Sequence, residues 1–208
     1  MKPQKAEKSE PASRRKFDRT EALDVAVELF WRHGYEATSM AMLLKAMGLT
    51  APSLYAAFGN KEQLFQAALE RYSEKYGSKV LAPLAAPITA REAIEQMLLT
   101  AAATVSSSKN PRGCLVSFGA INAADHESLP VTSLQAVRTQ IGQRIRERLE
   151  RAVAERELPR SADTARLARF YHAVLGGLQL RSLDGASHAE LQSIAHDAMA
   201  SWPETKAR

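Results

Sequence analysis

A glycine between two short apolar runs limits how this chain can begin to fold. Met40, Leu43, Leu44 and Met47 fall at i, i+3, i+4 and i+7, one stripe of a helix only about two turns long. Gly48 follows at once, where the chain must turn through a conformation that a β-carbon resists. Thr50 then stands as an N-cap whose hydroxyl can accept from the amide of Ser53. Pro52 sits in a first turn whose amides have no helical partner to lose. Leu54 and Phe58 give this second helix an inward face. Neither helix is long enough to hold by itself, so both must lay their stripes on neighbouring elements across a steep turn.

The neighbours are legible. Asp18, with Glu21 three residues on, opens a helix whose Leu23, Ala26, Val27 and Phe30 form a buried stripe, and Gly34 closes it. Ser39 begins the two-turn helix. Asn60 and Gln63 form a capping box for a further helix carrying Leu64, Phe65 and Leu69 inward. Residues 16–76 thus read as a three-helix head feeding a long fourth helix, with a helix-turn-helix at about 39–58. In such a device one helix braces across phosphates while the next enters the major groove of DNA.

The remainder keeps the helical period. Pro83 and Pro87 mark a break, and Thr89 to Glu92 form a capping box for a helix to about Ser106. Residues 107–113 form a loop, and a short apolar helix is expected over Cys114 to Ala124. The next helix carries Leu134, Val137, Ile141, Ile145 and Leu149 on one face, with Arg146/Glu150, Glu147/Arg151 and Arg151/Glu155 as i,i+4 pairs on the other. Leu167, Phe170, Tyr171, Val174, Leu175 and Leu178 make one unbroken stripe with Gly176 and Gly177 inside it. A Ser187–Glu190 capping box opens a last helix with Leu191, Ile194, Ala195, Ala198 and Trp202. No period-two alternation occurs. The fold class is all-α with about nine helices. Residues 1–15 read as a flexible basic arm, 16–76 as the head, and 77–208 as a helical body.

Charge is concentrated at the start. Lys2, Lys5, Lys8, Arg14, Arg15 and Lys16 against Glu7 and Glu10 place +4 of the chain's net +5 on the first sixteen residues, where a phosphate backbone would attract them. The single cysteine, Cys114, precludes an internal disulfide and a cysteine-rich zinc site, and suits a reducing cytoplasm. No apolar run approaches the roughly 20 residues of a membrane span, so no membrane partner is expected. No phosphate-binding glycine loop, zinc-ligand spacing or nucleophile elbow occurs. Cys114 with Asp125 and His126 could be drawn as a thiol catalytic set, but a loop before Leu129-Pro130 explains those residues without chemistry. No metal, no cofactor and no enzymatic activity are expected. A DNA-packaging protein would need basic charge spread over a face, and the body's charge is mixed.

Residues 16–76 resemble the TetR/AcrR family of transcriptional repressors. The likeness rests on Gly34-Tyr35, Thr38-Ser39, Gly48, Leu54-Tyr55, Phe58, Lys61-Glu62 and Leu64-Phe65 in the family's order and spacing. Weaker similarity extends through Arg112 to Leu115, Asp184 to Ser187 and Trp202-Pro203. The resemblance implies a homodimer built by the last two helices, here through Leu167, Phe170, Val174 and Leu178 with Leu191, Ile194, Ala198 and Trp202. The plainer alternative is that these stripes pack within one subunit.

The family pattern places Thr38, Ser39, Tyr55 and Lys61 at the phosphates. Thr50 opens the reading helix, whose outward Ala51, Pro52, Ser53 and Ala56 offer no bidentate base contact. Thymine methyls against Ala51, Pro52 and Ala56, with one hydrogen bond from Ser53, would then carry sequence. Arg14, Arg15 and Lys16, just before the first helix, would reach the flanking backbone or minor groove, the plainer alternative being a solubilising tail. Many members carry His at the place of Ala57, and that contact is missing here.

The implied activity is a ligand-responsive repressor that binds a (pseudo)palindromic operator as a homodimer and is released by a small-molecule effector. Candidate effector residues are Leu98, Cys114, Phe118, Asn122, His126, Gln140, Arg144 and Tyr171, beside Leu99, Val105, Leu115, Ile121, Val137, Ile141 and His172. Cys114 admits three readings: a small buried hydrophobe, a redox or electrophile sensor, and a metal ligand.

Overall fold

A computed structural model describes residues 18–121 and 123–203, and among them all regular structure is helical. The head comprises α1 (Arg19–Ala37), α2 (Met40–Met47), α3 (Ala51–Phe58) and the start of α4 (Lys61–Tyr72). Its caps are the expected ones: the Asp18 carboxylate takes the amides of Thr20 and Glu21, Ser39 takes Met42, Thr50 takes Ser53, and Asn60 with Gln63 completes a reciprocal box. Gly48 turns the chain at φ +66°, and the axes of α2 and α3 bend by 96° at that break. Gly34, at φ +75°, interrupts α1 three residues before its end, and Ala37 closes the helix beyond it.

From Lys61 the chain runs as one rod. α4 passes without a break through a π turn (Ser73–Gly77) into α5 (Ser78–Leu81), every junction residue staying in the right-handed helical region. Ser73 and Ser78 each donate a hydroxyl back to the carbonyl four residues earlier, Leu69 and Glu74, a habit that bends helices. A 3-10 turn (Ala82–Ala85) ends the rod at Pro83.

The body contains α6 (Ala90–Ser106), α7 (Leu115–Phe118), α8 (Leu129–Ala154), α9 (Thr164–Leu183) and α10 (His188–Met199). Counting α4, the π turn and α5 as one rod gives nine among the described residues. Thr89 with Glu92 and Ser187 with Glu190 form capping boxes as the sequence indicates. Two expectations change. The short helix after Cys114 stops at Phe118: Gly119 donates the last helical bond, to the Leu115 carbonyl, and the Phe118 carbonyl is taken by the amide of Ile121 three residues on, in a turn. On α8, Arg146–Glu150 (2.7 Å) and Arg151–Glu155 (3.7 Å) pair as expected, but Glu147 accepts from the Gln143 amide at 3.0 Å in place of Arg151.

Two hydrophobic clusters hold the molecule. One joins α6, α8, α9 and α10 around Ile94, Met97, Leu98, Tyr171, Leu175 and Leu178. The other gathers Phe30, Leu43, Leu54, Leu64 and Phe65 in the head but also takes Cys114, Leu115, Val116 and Leu134 from the body. Head and body therefore share a core across the rod. The Tyr35 amide donates to the Gly119 carbonyl at 2.6 Å, and a β-carbon on Gly34 would lie 3.1 Å from that same oxygen. This close approach, as well as its positive φ, requires glycine at position 34.

Candidate nucleic-acid interface and ligand cavity

The steep bend at Gly48 turns the first turns of α3 outward. Thr50, Pro52, Ser53, Tyr55 and Ala56 are exposed and Ala51 is half-buried, while Leu54 and Phe58 lie in the core. Tyr55 keeps 51% of its surface open, high for a large aromatic side chain. The Ser53 hydroxyl sits 2.9 Å from that of Thr50, so the cap and the polar group of the outward face form one small cluster. Ser39, exposed at the start of α2, leaves a helix N-terminus open beside it. Lys61, in the first turn of α4, holds its ammonium 4.2 Å from the Tyr35 ring centroid. Burial pulls this lysine below its ordinary pKa, with Glu36 acting in the opposite sense.

Behind the head, a cavity of about 900 Å³ opens among the rod, α6, α8 and α9. The rod contributes Tyr72, Ser73, Tyr76, Gly77, Val80 and Leu81. α8 adds Val137, Arg138, Gln140, Ile141 and Arg144, and α9 adds His172, Leu175, Gly176 and Gln179. Cys114 lines it too and accepts a hydrogen bond from the Tyr72 hydroxyl at 3.3 Å. That hydroxyl is deeply buried, and desolvation, with Cys114 next, pushes its pKa well above the ordinary tyrosine value. Tyr72 and Tyr76 also pack on Trp31 of α1 at ring separations of 4.8 and 4.9 Å. The cavity wall is thus one aromatic layer away from the head.

Residues 22–68 match the family model for bacterial regulatory proteins of the tetR family, and residues 90–197 match the tetracyclin repressor-like C-terminal domain. The transcriptional repressor ComR of Escherichia coli (strain K12) is 35% identical over 189 residues, 90% of each chain. The chain belongs to the TetR family. The repressor BdcR of the same organism is 28% identical over 187 residues, 89% of each chain. Among solved structures, a cysteine mutant of the TetR family regulator CifR, complexed with a 26-base-pair operator duplex, superposes with a TM-score of 0.86 at 38% identity. That match covers 91% of this chain and 99% of that one. A regulator from Rhodococcus superposes less closely, with a TM-score of 0.62 at 37% identity, over 89% of this chain and 99% of that one.

The TetR-family chain places the expected residues unevenly. Ser39, Thr50, Pro52, Ser53, Tyr55 and Ala56 are exposed on the head, and Ala51 and Lys61 are half-buried there. Thr38 does not: it is fully buried, and its hydroxyl donates to the Gly34 carbonyl at 2.6 Å. It fastens the end of α1 and has no surface to offer a phosphate. Arg14, Arg15 and Lys16 lie outside the described residues, as does Asn122.

Of the effector candidates, Cys114, Gln140 and Arg144 line the cavity, along with Val105, Val137, Ile141 and His172. Leu98 and Tyr171 are fully buried in the body core, Phe118 packs away from the cavity on α7, and His126 stands exposed on the loop before α8. Helical spacing identified a buried side for each helix. It did not divide that side between packing and cavity wall.

The residues missed, Tyr72, Tyr76, Gly77, Arg138 and Gln179 above all, sit where the head pattern ends or on positions that read as plain helix surface. The π turn, which has no sequence rule behind it, puts Ser73, Glu74, Tyr76 and Gly77 on the wall.

The dimer stripe also divides. Leu167, Leu178, Leu191 and Ala198 are buried inside the subunit's own core, so they have no surface left for a partner. Phe170, Val174, Ile194 and Trp202 are half-buried at its margin. The outward face of α9 instead carries Ala173, Gly177 and Leu180 at i, i+4 and i+7, with Leu183 beside them; Leu180 and Leu183 keep 50% and 45% of their surface open.

Proposed function

We propose that the protein is a cytoplasmic repressor that binds a (pseudo)palindromic operator as a homodimer and is released when a small molecule fills the cavity. The observation that carries this reading is the outward edge from Thr50 to Ala56, presented by a 96° bend between two eight-residue helices. A helix of that length, set at that angle and anchored behind by Leu54 and Phe58, fits a major groove. The relationship to CifR, whose complex contains operator DNA, supports the same role. Ser39, Tyr55 and Lys61 hold the backbone. Ala51, Pro52 and Ala56 meet thymine methyls, Ser53 supplies one hydrogen bond, and groove shape adds the rest. Arg14, Arg15 and Lys16 add flanking phosphate contacts.

The dimer surface is α9 and α10. Around Gly177 a β-carbon would meet nothing within 4 Å, and Ala173, Leu180 and Leu183 are exposed beside it. Small side chains let a second helix approach closely, and the half-exposed leucines need cover. Two heads related by a two-fold axis then match two half-sites about one helical turn of DNA apart. An effector that favours a different head spacing releases the duplex, because it binds one spacing better than the other. The rod is the connection, since its two ends lie in the head core and on the cavity wall.

The test is a binding-site selection with the full-length protein, followed by titration of the selected duplex and of a version with uracil replacing thymine. Dimer mass, a palindromic consensus and weaker binding of the uracil duplex are expected. A monomer without preference among duplexes overturns the reading, and equal binding of the uracil duplex overturns the methyl readout.

A second reading has its own observation. Cys114 lies at the cavity wall in contact with Tyr72 of the rod. An oxidised or alkylated thiol there would lose that contact and add bulk against α4. Cys114→Ser then abolishes release by oxidants and alkylating agents while leaving operator binding intact. Unchanged release in that variant excludes the thiol as the sensor.

A further inference from the structure

The charges around the cavity are not distributed evenly. Four acidic or basic side chains of the Glu and Arg type line it: Glu74, Arg138, Arg144 and Glu147. Glu74, Arg144 and Glu147 are exposed at the mouth, and Glu147 is already engaged by the Gln143 amide. Arg138 alone is half-buried. It donates one guanidinium N–H to the Val116 carbonyl at 2.7 Å, which fixes its head against the inner wall.

Three of the other four arginines of α8 behave differently. Arg146, Arg148 and Arg151 each have a glutamate partner, whereas among the described residues no carboxylate pairs with Arg138 or with Arg144, and of these two only Arg138 is half-buried. A guanidinium carries five N–H donors in a planar fork that matches a carboxylate. One of the five is spent on Val116. A cation withdrawn from water without a counter-charge is costly, and an incoming anion relieves that cost.

The surroundings of Arg138 agree. His172, on the facing wall, is held below its ordinary pKa by burial first and by the Arg138 charge second, so it stands neutral and able to donate one ring N–H. Its ring is closely fitted, since a β-carbon on Gly142 would come within 3.2 Å of Nδ1. The Ser117 hydroxyl and the Gln179 carbonyl oxygen, bonded to each other, complete a polar corner. Most of the remaining wall surface is apolar, from Val80, Leu81, Val105, Val137, Ile141 and Leu175. A site with one half-buried cationic corner and a largely apolar wall suits a ligand built the same way.

We infer that the effector is an amphipathic organic carboxylate, with Arg138 receiving the carboxylate and the apolar wall taking its body. This rests on the cavity being the effector site. Arg138 is then the residue that selects the class, and Arg144 at the mouth contributes only a weaker, screened attraction.

The test uses the full-length protein and two sets of probes, octanoate, octanol and octylamine, then phenylbutyrate, phenylbutanol and phenylbutylamine. Binding is followed by calorimetry and by the fluorescence of Trp31, which packs on Tyr72 and Tyr76 of the wall. In at least one set the acid binds about tenfold or more tighter than the alcohol, and the amine binds weakest. Arg138→Gln removes the preference while leaving the alcohol's affinity unchanged, and Arg138→Lys restores part of it.

Equal affinity for acid and alcohol in both sets overturns the inference while leaving the cavity as an effector site. Binding of none of the six overturns the inference and the cavity reading together. If Arg138→Gln melts at lower temperature, the lysine variant decides: loss of acid preference in a folded Arg138→Lys protein matching the alcohol's affinity assigns Arg138 a packing role and overturns the inference. An acid that binds with full preference but leaves the operator complex intact upholds the ligand class and defeats the release mechanism instead.

Discussion

At the scale of single residues, side chains that look alike in sequence divide into packing and surface roles. Leu98 is fully buried between α6 and the body core, so Leu98→Ala should cost about 2–5 kcal/mol in chemical denaturation. That loss would come without the selective loss of ligand binding expected of a wall residue. Asp24 of α1 accepts from Arg71 of α4 at 2.9 Å and from Lys75 of the π turn at 3.0 Å. The Arg71 hydrogen bond holds its carboxyl below the ordinary 3.8 despite the opposing effect of burial, and Lys75 adds to the lowering. A carboxyl depressed in the folded state stabilises above its unfolded pKa, and the contribution disappears as pH falls through the folded value. Asp24→Asn should therefore be less stable than wild type by up to about 1 kcal/mol at neutral pH. Denaturation curves should converge as pH drops through and below 3.8.

At the scale of elements, the rod formed by α4, the π turn and α5 joins the two ends of the molecule. Its head end carries Leu64 and Phe65 into the shared core, and its π turn supplies Ser73, Glu74, Tyr76 and Gly77 to the cavity wall. π turns are uncommon and occur often at functional sites, and this one lies between the head core and the cavity wall. Gly77 sits there in ordinary helical conformation, and its added β-carbon would meet Ser73 at 3.9 Å, an unstrained contact. Gly77→Ala should raise stability by about 0.5–1 kcal/mol through the lost freedom of the unfolded chain. A thermal or denaturant melt measures it directly. A lower midpoint would mean that the π turn needs the glycine for a reason beyond helix propensity.

At the scale of the whole molecule, the proposed two-fold pairing rests on the exposed side of α9. Gly177 has open space around it, so an arginine there fits the subunit but obstructs a second copy. Gly177→Arg should give a monomer by light scattering with its helical circular dichroism retained. Operator affinity should fall by about a hundredfold or more, because two linked heads bind far more tightly than one. A dimeric Gly177→Arg protein would move the pairing surface off α9.

Local chemistry fixed much of the architecture in advance. Caps at Asp18, Ser39, Thr50, Asn60, Thr89 and Ser187, the turn at Gly48 and the apolar periods depend on neighbours a few residues away, and they lie as read. The outward edge of α3 was equally legible, since a short helix with Leu54 and Phe58 buried must expose the rest. What periodicity could not divide was the fate of each buried side. Leu167 and Leu178 went to the subunit core, Gly176 to the cavity and Gly177 to the outer surface, although one stripe contains them all. Thr38 turned inward because Gly34, four residues earlier, leaves a carbonyl that its hydroxyl fills. Arg138 became the cavity's inner cation because, among the described residues, no carboxylate comes to meet it. A helix specifies its own faces through side chains one turn apart. Which neighbour each face meets depends on contacts a hundred residues away, and only the packed molecule contains them.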